Sequence, residues 1–152
     1  MNVQSASQES NARLGKLIKG IKVALLTSVA ADGSLHSRPM ATLDRDFDGT
    51  LWFFTSAGGR TANEVEEHRQ VNVSYAMPEK QHYVSVSGTT FLVRDREKIT
   101  ELWNPLFKAW FPRGQEDPDL ALLRVDVEQA EYWDAAASSL VPLVQRSGLT
   151  GQ

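Results

Sequence analysis

Short runs of β-forming residues recur along the chain, and each run ends at a turn. In several of them apolar and polar side chains alternate, as in Val71-Asn72-Val73-Ser74-Tyr75, which is typical of a strand with one solvated face. Gly88 inside one run indicates a bulge or a tight bend. The runs are 23–29, 35–43, 51–55, 71–75, 83–93 and 123–133. They predict a mainly β fold, an antiparallel barrel of six strands.

Three helices are expected at the edges of this barrel. The first covers residues 5–20, where apolar residues follow a helical spacing. A short polar helix is predicted from Arg60 to His68, and a third from Asp95, as its cap, to about Trp110. Pro105 is expected to break the third helix into two pieces.

The chain of 152 residues suits a single domain, which we place at residues 1–134. The remaining segment, residues 135–152, begins with small and polar residues and is expected to be a loosely ordered tail. Neither a linker nor an internal repeat is visible in the sequence.

Composition and charge exclude several classes of function. The net charge of -3 gives no basic field for nucleic acid, and no apolar run is long enough to span a bilayer. The sequence has no cysteine, so thiolate metal sites and cysteine nucleophiles are excluded. The three histidines are scattered, and we expect no metal site. With a polar N-terminus that does not resemble a signal peptide, these features predict a cytoplasmic protein.

One segment combines hydroxyl groups, glycines and an arginine at the start of a predicted helix. Thr55-Ser56-Ala57-Gly58-Gly59-Arg60 lies where a predicted strand ends and the helix begins. Free backbone N–H groups and the helix dipole attract an anion there, and Arg60 adds a positive charge. A helix capped by Ser56 and a simple glycine turn would produce the same pattern, so the segment alone leaves both interpretations open.

Arg38 and Pro39 interrupt the predicted strand 35–43, which precedes the strand 51–55. Proline removes a backbone donor, so the strand loses a ladder hydrogen bond at this point. Arg38 can lie beside the same helix terminus as Arg60, and two arginines suit a phosphate of about -2 charge. A surface arginine on an edge strand is the alternative interpretation of Arg38.

The tryptophans are ordinarily core or interface residues. Trp110-Phe111-Pro112, where the third helix ends, could instead form a wall for a flat aromatic ligand.

The motifs occur in an order that is similar to one known family. They are His36-Ser37-Arg38-Pro39-Met40, Leu51-Trp52-Phe53-Phe54-Thr55-Ser56, Gln70-Val71-Asn72-Val73-Ser74-Tyr75, Tyr83-Val84-Ser85-Val86-Ser87-Gly88, Leu102-Trp103-Asn104-Pro105-Leu106, Trp110-Phe111-Pro112 and Glu131-Tyr132-Trp133-Asp134. Over residues 12–134 this set resembles the bacterial general-stress-protein branch of the pyridoxamine 5′-phosphate oxidase-like FMN-binding split barrels.

The resemblance implies a six-stranded split β-barrel that forms a homodimer, with FMN in clefts between the subunits. It implies that Arg38 points toward the phosphate, that 53–56 lines the ring and ribityl chain, and that Arg60 stands where a phosphate-binding lysine is common. Aromatic residues near Trp110 and at Trp133 would come from the partner. The implied cofactor-binding residues are Ser37, Arg38, Pro39, Met40, Phe53, Phe54, Thr55, Ser56, Arg60, Trp110, Phe111 and Trp133.

The resemblance favours an FMN-dependent oxidoreductase, in which the flavin carries the redox chemistry. Three alternatives stay open: a flavin-binding or flavin-sensing module without turnover, a barrel that uses F420, and one that uses haem. The arginine and histidine that bind substrate near the C-terminus of the oxidase itself have no match after Asp134. We therefore do not expect pyridoxamine-phosphate oxidation, since a shared fold does not transfer the chemistry.

Overall fold

The computed structural model describes residues 3–145, which form a β-sheet with three helices on its periphery. The helices are α1 (Val3–Ile18), α2 (Arg60–Glu67) and α3 (Arg96–Leu102), with 3₁₀ segments at Pro78–Lys80 and Pro105–Ala109. The strands are β1 (Val23–Val29), β2 (Leu35–Ala41), β3 (Thr50–Ser56), β4 (Gln70–Met77), β5 (His82–Val93), β6 (Leu120–Asp134) and β7 (Ser139–Gln145).

All strand pairs are antiparallel, and the sheet order is β2-β1-β4-β5-β6-β3, with β7 also paired to β6. Consecutive hairpins account for β1 with β2 and β4 with β5, while β3 pairs with the distant β6. Strands β2 and β3 end the path, and no hydrogen-bonded ladder joins them within residues 3–145. The sheet is therefore not closed.

The seventh strand is the main difference from the sequence prediction. Residues 139–145 pair with 129–134, whereas the sequence predicts six strands and a loosely ordered tail from residue 135. Leu143 is buried, so β7 contributes to the core. Pro142 lies in this strand opposite Glu131, where an edge position tolerates the missing backbone donor. The rest of the predicted tail, 146–152, lies outside the described residues.

The predicted helices are confirmed, with small shifts of their ends. Asp95 caps α3, because its side chain accepts hydrogen bonds from the backbone N–H groups of Glu97 and Lys98. The helix ends at Leu102, and a 3₁₀ segment begins at Pro105, which confirms the predicted break. No helix within residues 3–145 is both long and apolar enough to cross a membrane.

The core consists of two clusters on the two sides of β3. The larger one lies on one face of the sheet and includes Leu26, Phe53, Val73 and Val86. The smaller one, around Phe54 and Ile99, lies under α3 and the following 3₁₀ segment. Strand β3 contributes side chains to both clusters. Packing on both of its faces therefore holds β3 in place at the open end of the sheet, next to β2.

Candidate functional site

Strand β2 and helix α2 bring Arg38 and Arg60 to a single carboxylate, that of Glu64. Arg38 lies on β2, which is an edge strand, and Arg60 is the first residue of α2. Arg38 Nη2 donates to Glu64 Oε1 at 3.0 Å, and Arg60 Nε donates to Glu64 Oε2 at 3.1 Å. The convergence of two guanidinium groups expected from the sequence is therefore present, with an anion of the chain itself between them.

The Oε1 side of Glu64 is buried. Ser28, which is fully buried on β1, donates to Oε1 at 2.7 Å. Arg38 Nη1 donates to Ser28 Oγ at 2.7 Å and to the carbonyl oxygen of Leu26 at 3.3 Å. The Arg38 side chain is 19% exposed and that of Glu64 is 9% exposed. These contacts connect β1, β2 and α2. They also give each polar atom of the Arg38–Glu64 ion pair on this side a hydrogen-bond partner, without which a buried ion pair would be destabilising.

The Oε2 side of Glu64 contacts two side chains that are more exposed, those of His36 and Arg60. The side chain of Arg60 is 70% exposed, and its Nη2 lies 2.7 Å from His36 Nδ1. The same nitrogen of His36 lies 3.1 Å from Glu64 Oε2. Since Nδ1 can accept from Arg60 only when it carries no proton, and can donate to Glu64 only when it does, these two contacts of His36 exclude each other.

Hydrogen bonds hold Glu64 in its ionised form. The bond from Ser28 is the largest cause that lowers the pKa of Glu64, from 4.5 to about 2. Burial acts in the opposite direction, and the contacts with His36, Arg60 and Arg38 lower the pKa further. Glu64 is therefore an anion at physiological pH.

This pKa predicts how stability depends on acid. Ionised Glu64 stabilises the fold fully above pH 4.5, and this contribution is lost as the pH falls toward about 2. We expect the free energy of unfolding of wild type to fall more steeply over this range than that of Glu64→Gln. Urea denaturation at several pH values measures both slopes, with Glu67→Gln, exposed on the same helix, as the control. Equal slopes for wild type and Glu64→Gln would contradict the assignment.

The turn between β3 and α2 is held by Asp119, and the start of α2 has no side-chain cap. Gly58 N–H donates to Asp119 Oδ1 at 2.9 Å, and Ala57 N–H donates to the Asp119 carbonyl oxygen at 2.7 Å. Gly59, rather than Ser56, is the N-cap residue, and no side chain accepts a bond there. The first N–H groups of α2 therefore remain available to an anion from outside.

The predicted residues of β2 divide between the two faces of the strand. Ser37 and Pro39 are exposed, with Ser37 Oγ 2.6 Å from Thr27 Oγ1. Pro39 lies opposite Leu25 on β1, and its other side has no strand partner among the described residues. Met40 is buried in the larger core cluster on the same face as Arg38.

The predicted residues of β3 are mostly core residues in a single chain. Phe53 is 2% exposed, and Thr55 is also buried, whereas Ser56 is exposed. Phe54 packs against three aromatic rings at centroid distances of 5.4, 5.5 and 6.2 Å, those of Trp103, Phe107 and Phe111. The role of Phe53 and Phe54 toward a ring ligand stays a prediction.

Two predicted tryptophans, Trp110 and Trp133, are partly exposed at the surface. Trp110, 42% exposed, follows the 3₁₀ segment, and Trp133, 37% exposed, lies opposite Leu140 of β7. Trp133 is beyond the part of β6 that pairs with β3. Neither residue is brought to Arg38 by the pairing of strands within one chain.

Sequence reasoning missed Glu64 and Asp119, the two carboxylates that organise the site. The spacing Arg60-x-x-x-Glu64 is a detectable signal, but it is ordinarily an exposed helical pair.

A separate cavity of about 700 Å³ lies between α1 and the β2–β3 connection, and neither Arg38 nor Arg60 lines it. Within residues 3–145 no group of three or more histidine and carboxylate side chains is arranged to hold a metal ion.

Comparison with known proteins identifies the family. A family model described as pyridoxamine 5′-phosphate oxidase like matches residues 9–151. The chain belongs to this family. Its open sheet is the split barrel of the pyridoxamine 5′-phosphate oxidase-like proteins, as the sequence predicts.

Several proteins are similar to this chain over most of its length. Protein bli-3 of Neurospora crassa is 30% identical over 117 residues, which cover 71% of this chain but 56% of the fungal protein. General stress protein 26 of Bacillus subtilis is 28% identical over 126 residues, or 80% of this chain and 86% of that protein. The solved general stress FMN/FAD binding protein of Xanthomonas citri is 31% identical, with a TM-score of 0.68 over 83% of this chain and 89% of that one.

Proposed function

We propose that this chain is an FMN-binding oxidoreductase of the general-stress type, which holds the flavin at the interface of a homodimer. The convergence of Arg38 and Arg60 beside the uncapped start of α2 is the observation that carries the proposal. A relative from Xanthomonas citri, 31% identical, is described as binding FMN or FAD.

The residues at this site fit the phosphate of the cofactor. Arg60 is exposed, and its Nη1 has no partner among residues 3–145, so it can donate to a phosphate oxygen. The first N–H groups of α2 and the hydroxyl of the exposed Ser56 are further donors. Bound flavin supplies hydride or electron transfer, while the chain binds and orients it.

An exposed apolar face supports the homodimer. Leu25 is 49% exposed on β1, and Leu35 is 69% exposed on β2. Val23 and Pro39 lie on the same face, because Val23 pairs with Ala41 and Leu25 with Pro39. Leu35 lies farther along this face, beyond the hydrogen-bonded hydroxyl groups of Thr27 and Ser37. The exposed apolar surface of Val23, Leu25 and Pro39 is typical of an interface. A second copy seated there is the occupant we propose, and it would bring exposed Trp110 or Trp133 to a site that one chain leaves open.

Leu25→Glu is expected to dissociate this dimer. The substitution places a charge in the apolar face without touching the core, since the Leu25 side chain points away from it. Light scattering after size exclusion should show the mass of a dimer for wild type and of a monomer for the variant, with unchanged circular dichroism. A variant that remains dimeric, or a monomeric wild type, would contradict the proposed interface.

Binding and turnover need separate measurements. Titration of wild type with FMN, followed by flavin fluorescence, tests binding, and unchanged fluorescence at high protein concentration would refute the proposal. Reduction of the bound flavin by NADH or NADPH and its repeated reoxidation by an acceptor would establish the oxidoreductase. Tight binding without turnover would instead identify the flavin-binding or flavin-sensing module.

A further inference from the structure

The two oxygens of the Glu64 carboxylate hold different partners. Oε1 accepts from Ser28 and Arg38, which are buried or nearly buried, while Oε2 accepts from the exposed Arg60. A role for the Oε2 side in ligand binding rests on the flavin-binding function proposed above.

The pair between Arg60 and Glu64 is of the kind that exchanges easily. Exposed ion pairs are individually weak, because solvent screens them and the long side chain loses entropy when it is held. Arg38 cannot exchange in this way, since its Nη1 is bound to Ser28 and to the carbonyl oxygen of Leu26 within the protein. Arg60 is therefore the guanidinium that a ligand can capture.

A phosphate monoester is a stronger partner for Arg60 than Glu64 Oε2 is. It carries about -2 charge and three acceptor oxygens, and it could also accept from the uncapped backbone N–H groups at the start of α2, where Arg60 lies. We propose that Glu64 is an internal competitor of the phosphate. It holds Arg60 when the site is empty, and the phosphate displaces it when the flavin binds.

This competition makes Glu64 a positioning residue that lowers affinity for the phosphate group. Its negative charge also opposes a second anion nearby. A flavin without phosphate does not compete for Arg60, so Glu64 lowers the affinity for FMN and leaves that for riboflavin unchanged. The ratio of FMN affinity to riboflavin affinity therefore becomes smaller. In return, Arg60 is kept near the site rather than being free in solvent.

Glu64→Gln separates the two oxygens because glutamine has the same shape. Ser28 and the partly buried Arg38 both donate to the Oε1 position, so the amide oxygen should take this position and keep both contacts. The amide NH₂ group then faces Arg60, donor against donor, so Arg60 loses its bond to residue 64 and keeps only the contact with His36. The matched control is Glu67→Gln, which removes the same charge from an exposed position of α2.

The experiment measures FMN and riboflavin affinity of wild type and both variants. Glu64→Gln should bind FMN about two- to fivefold more tightly, the strength of an exposed pair, with unchanged riboflavin affinity. Glu67→Gln should behave as wild type. In an Arg60→Ala background, Glu64→Gln should raise FMN affinity by clearly less than it does when Arg60 is present, because only the charge repulsion is then relieved. A purely structural role of Glu64 would give the same change in both backgrounds.

Equal or weaker FMN binding by Glu64→Gln, or the same gain in the absence of Arg60, would overturn the inference. Titration with inorganic phosphate, followed by NMR of the arginine Nε–H groups, distinguishes it from the proposed function. If wild type binds no flavin but phosphate still shifts the Arg60 signal, and does so at lower concentration in Glu64→Gln, only the flavin proposal fails. If Glu64→Gln does not fold, the wild-type spectrum decides: phosphate must shift the Arg60 signal and leave that of Arg38 in place.

Discussion

Gly88→Ala should lower the free energy of unfolding by about 3 kcal/mol or more, because the new methyl group has no space. Gly88 lies where the register between β5 and β6 shifts, and this confirms the bulge predicted from the sequence. A Cβ atom there would overlap the carbonyl oxygen of Asp126 and lie 3.1 Å from Val125 Cγ1. The obstacle is mainly backbone, so it cannot be relieved by a change of rotamer.

Urea denaturation measures this loss, and Gly33→Ala provides the matched control. Gly33 has a φ of 86° in the β1–β2 turn, and no atom lies within 4 Å of the position that a methyl group would take there. Its substitution costs only the left-handed conformation, about 1 kcal/mol. Similar losses in the two variants would show that β6 does not approach Gly88 as closely as the structure has it.

The parts of the fold that were predictable from sequence depend on neighbouring residues. The Asp95 cap, the break at Pro105 and the bulge at Gly88 follow from preferences that one residue imposes on its own backbone. The split barrel itself followed from the ordered family motifs, because periodicity alone does not give the pairing of distant strands such as β3 with β6.

The seventh strand and the role of Glu64 were not predictable in this way. Residues 139–145 follow a small polar segment and contain Pro142, which weakens a strand signal, yet pairing with β6 makes them a strand. The sequence around Glu64 is that of an exposed position on a polar helix. It is buried because the β1–β2 hairpin packs over α2 and brings Ser28 and Arg38 to it, a contact between segments far apart in the chain.

The same long-range packing gives the two arginines different expected roles. From the sequence alone, Arg38 and Arg60 are two equivalent phosphate ligands. In the structure Arg38 is enclosed by partners within the protein, while Arg60 is largely exposed at the start of a helix. Substitution of Arg60 should therefore affect mainly FMN affinity, whereas substitution of Arg38 should affect mainly the stability of the fold.

Arg60→Ala should weaken FMN binding by about 1–3 kcal/mol, or roughly 5- to 150-fold, through the loss of a charged hydrogen bond to the phosphate. Riboflavin affinity and the melting temperature of the flavin-free protein should change little, because the Arg60 side chain is largely exposed and Glu64 keeps Ser28 and Arg38 as partners without it. Fluorescence titration with the two flavins measures this difference. Arg94→Ala, at an exposed arginine outside the site, is the control.

Arg38→Ala should instead lower the melting temperature of the flavin-free protein, and it should weaken FMN binding only indirectly, because the Glu64 charge beside the phosphate site loses a positive partner. Its removal leaves Ser28 and the ionised Glu64 short of a partner in a buried setting, which costs more than the loss of a surface charge. Arg38→Lys should recover part of the stability, since one ammonium group can reach one of these acceptors but lacks the fork that serves both. If Arg38→Ala and Arg60→Ala gave the same melting temperature and the same FMN affinity, the two arginines would be equivalent. The assignment of a structural role to Arg38 and a ligand-binding role to Arg60 would then be wrong.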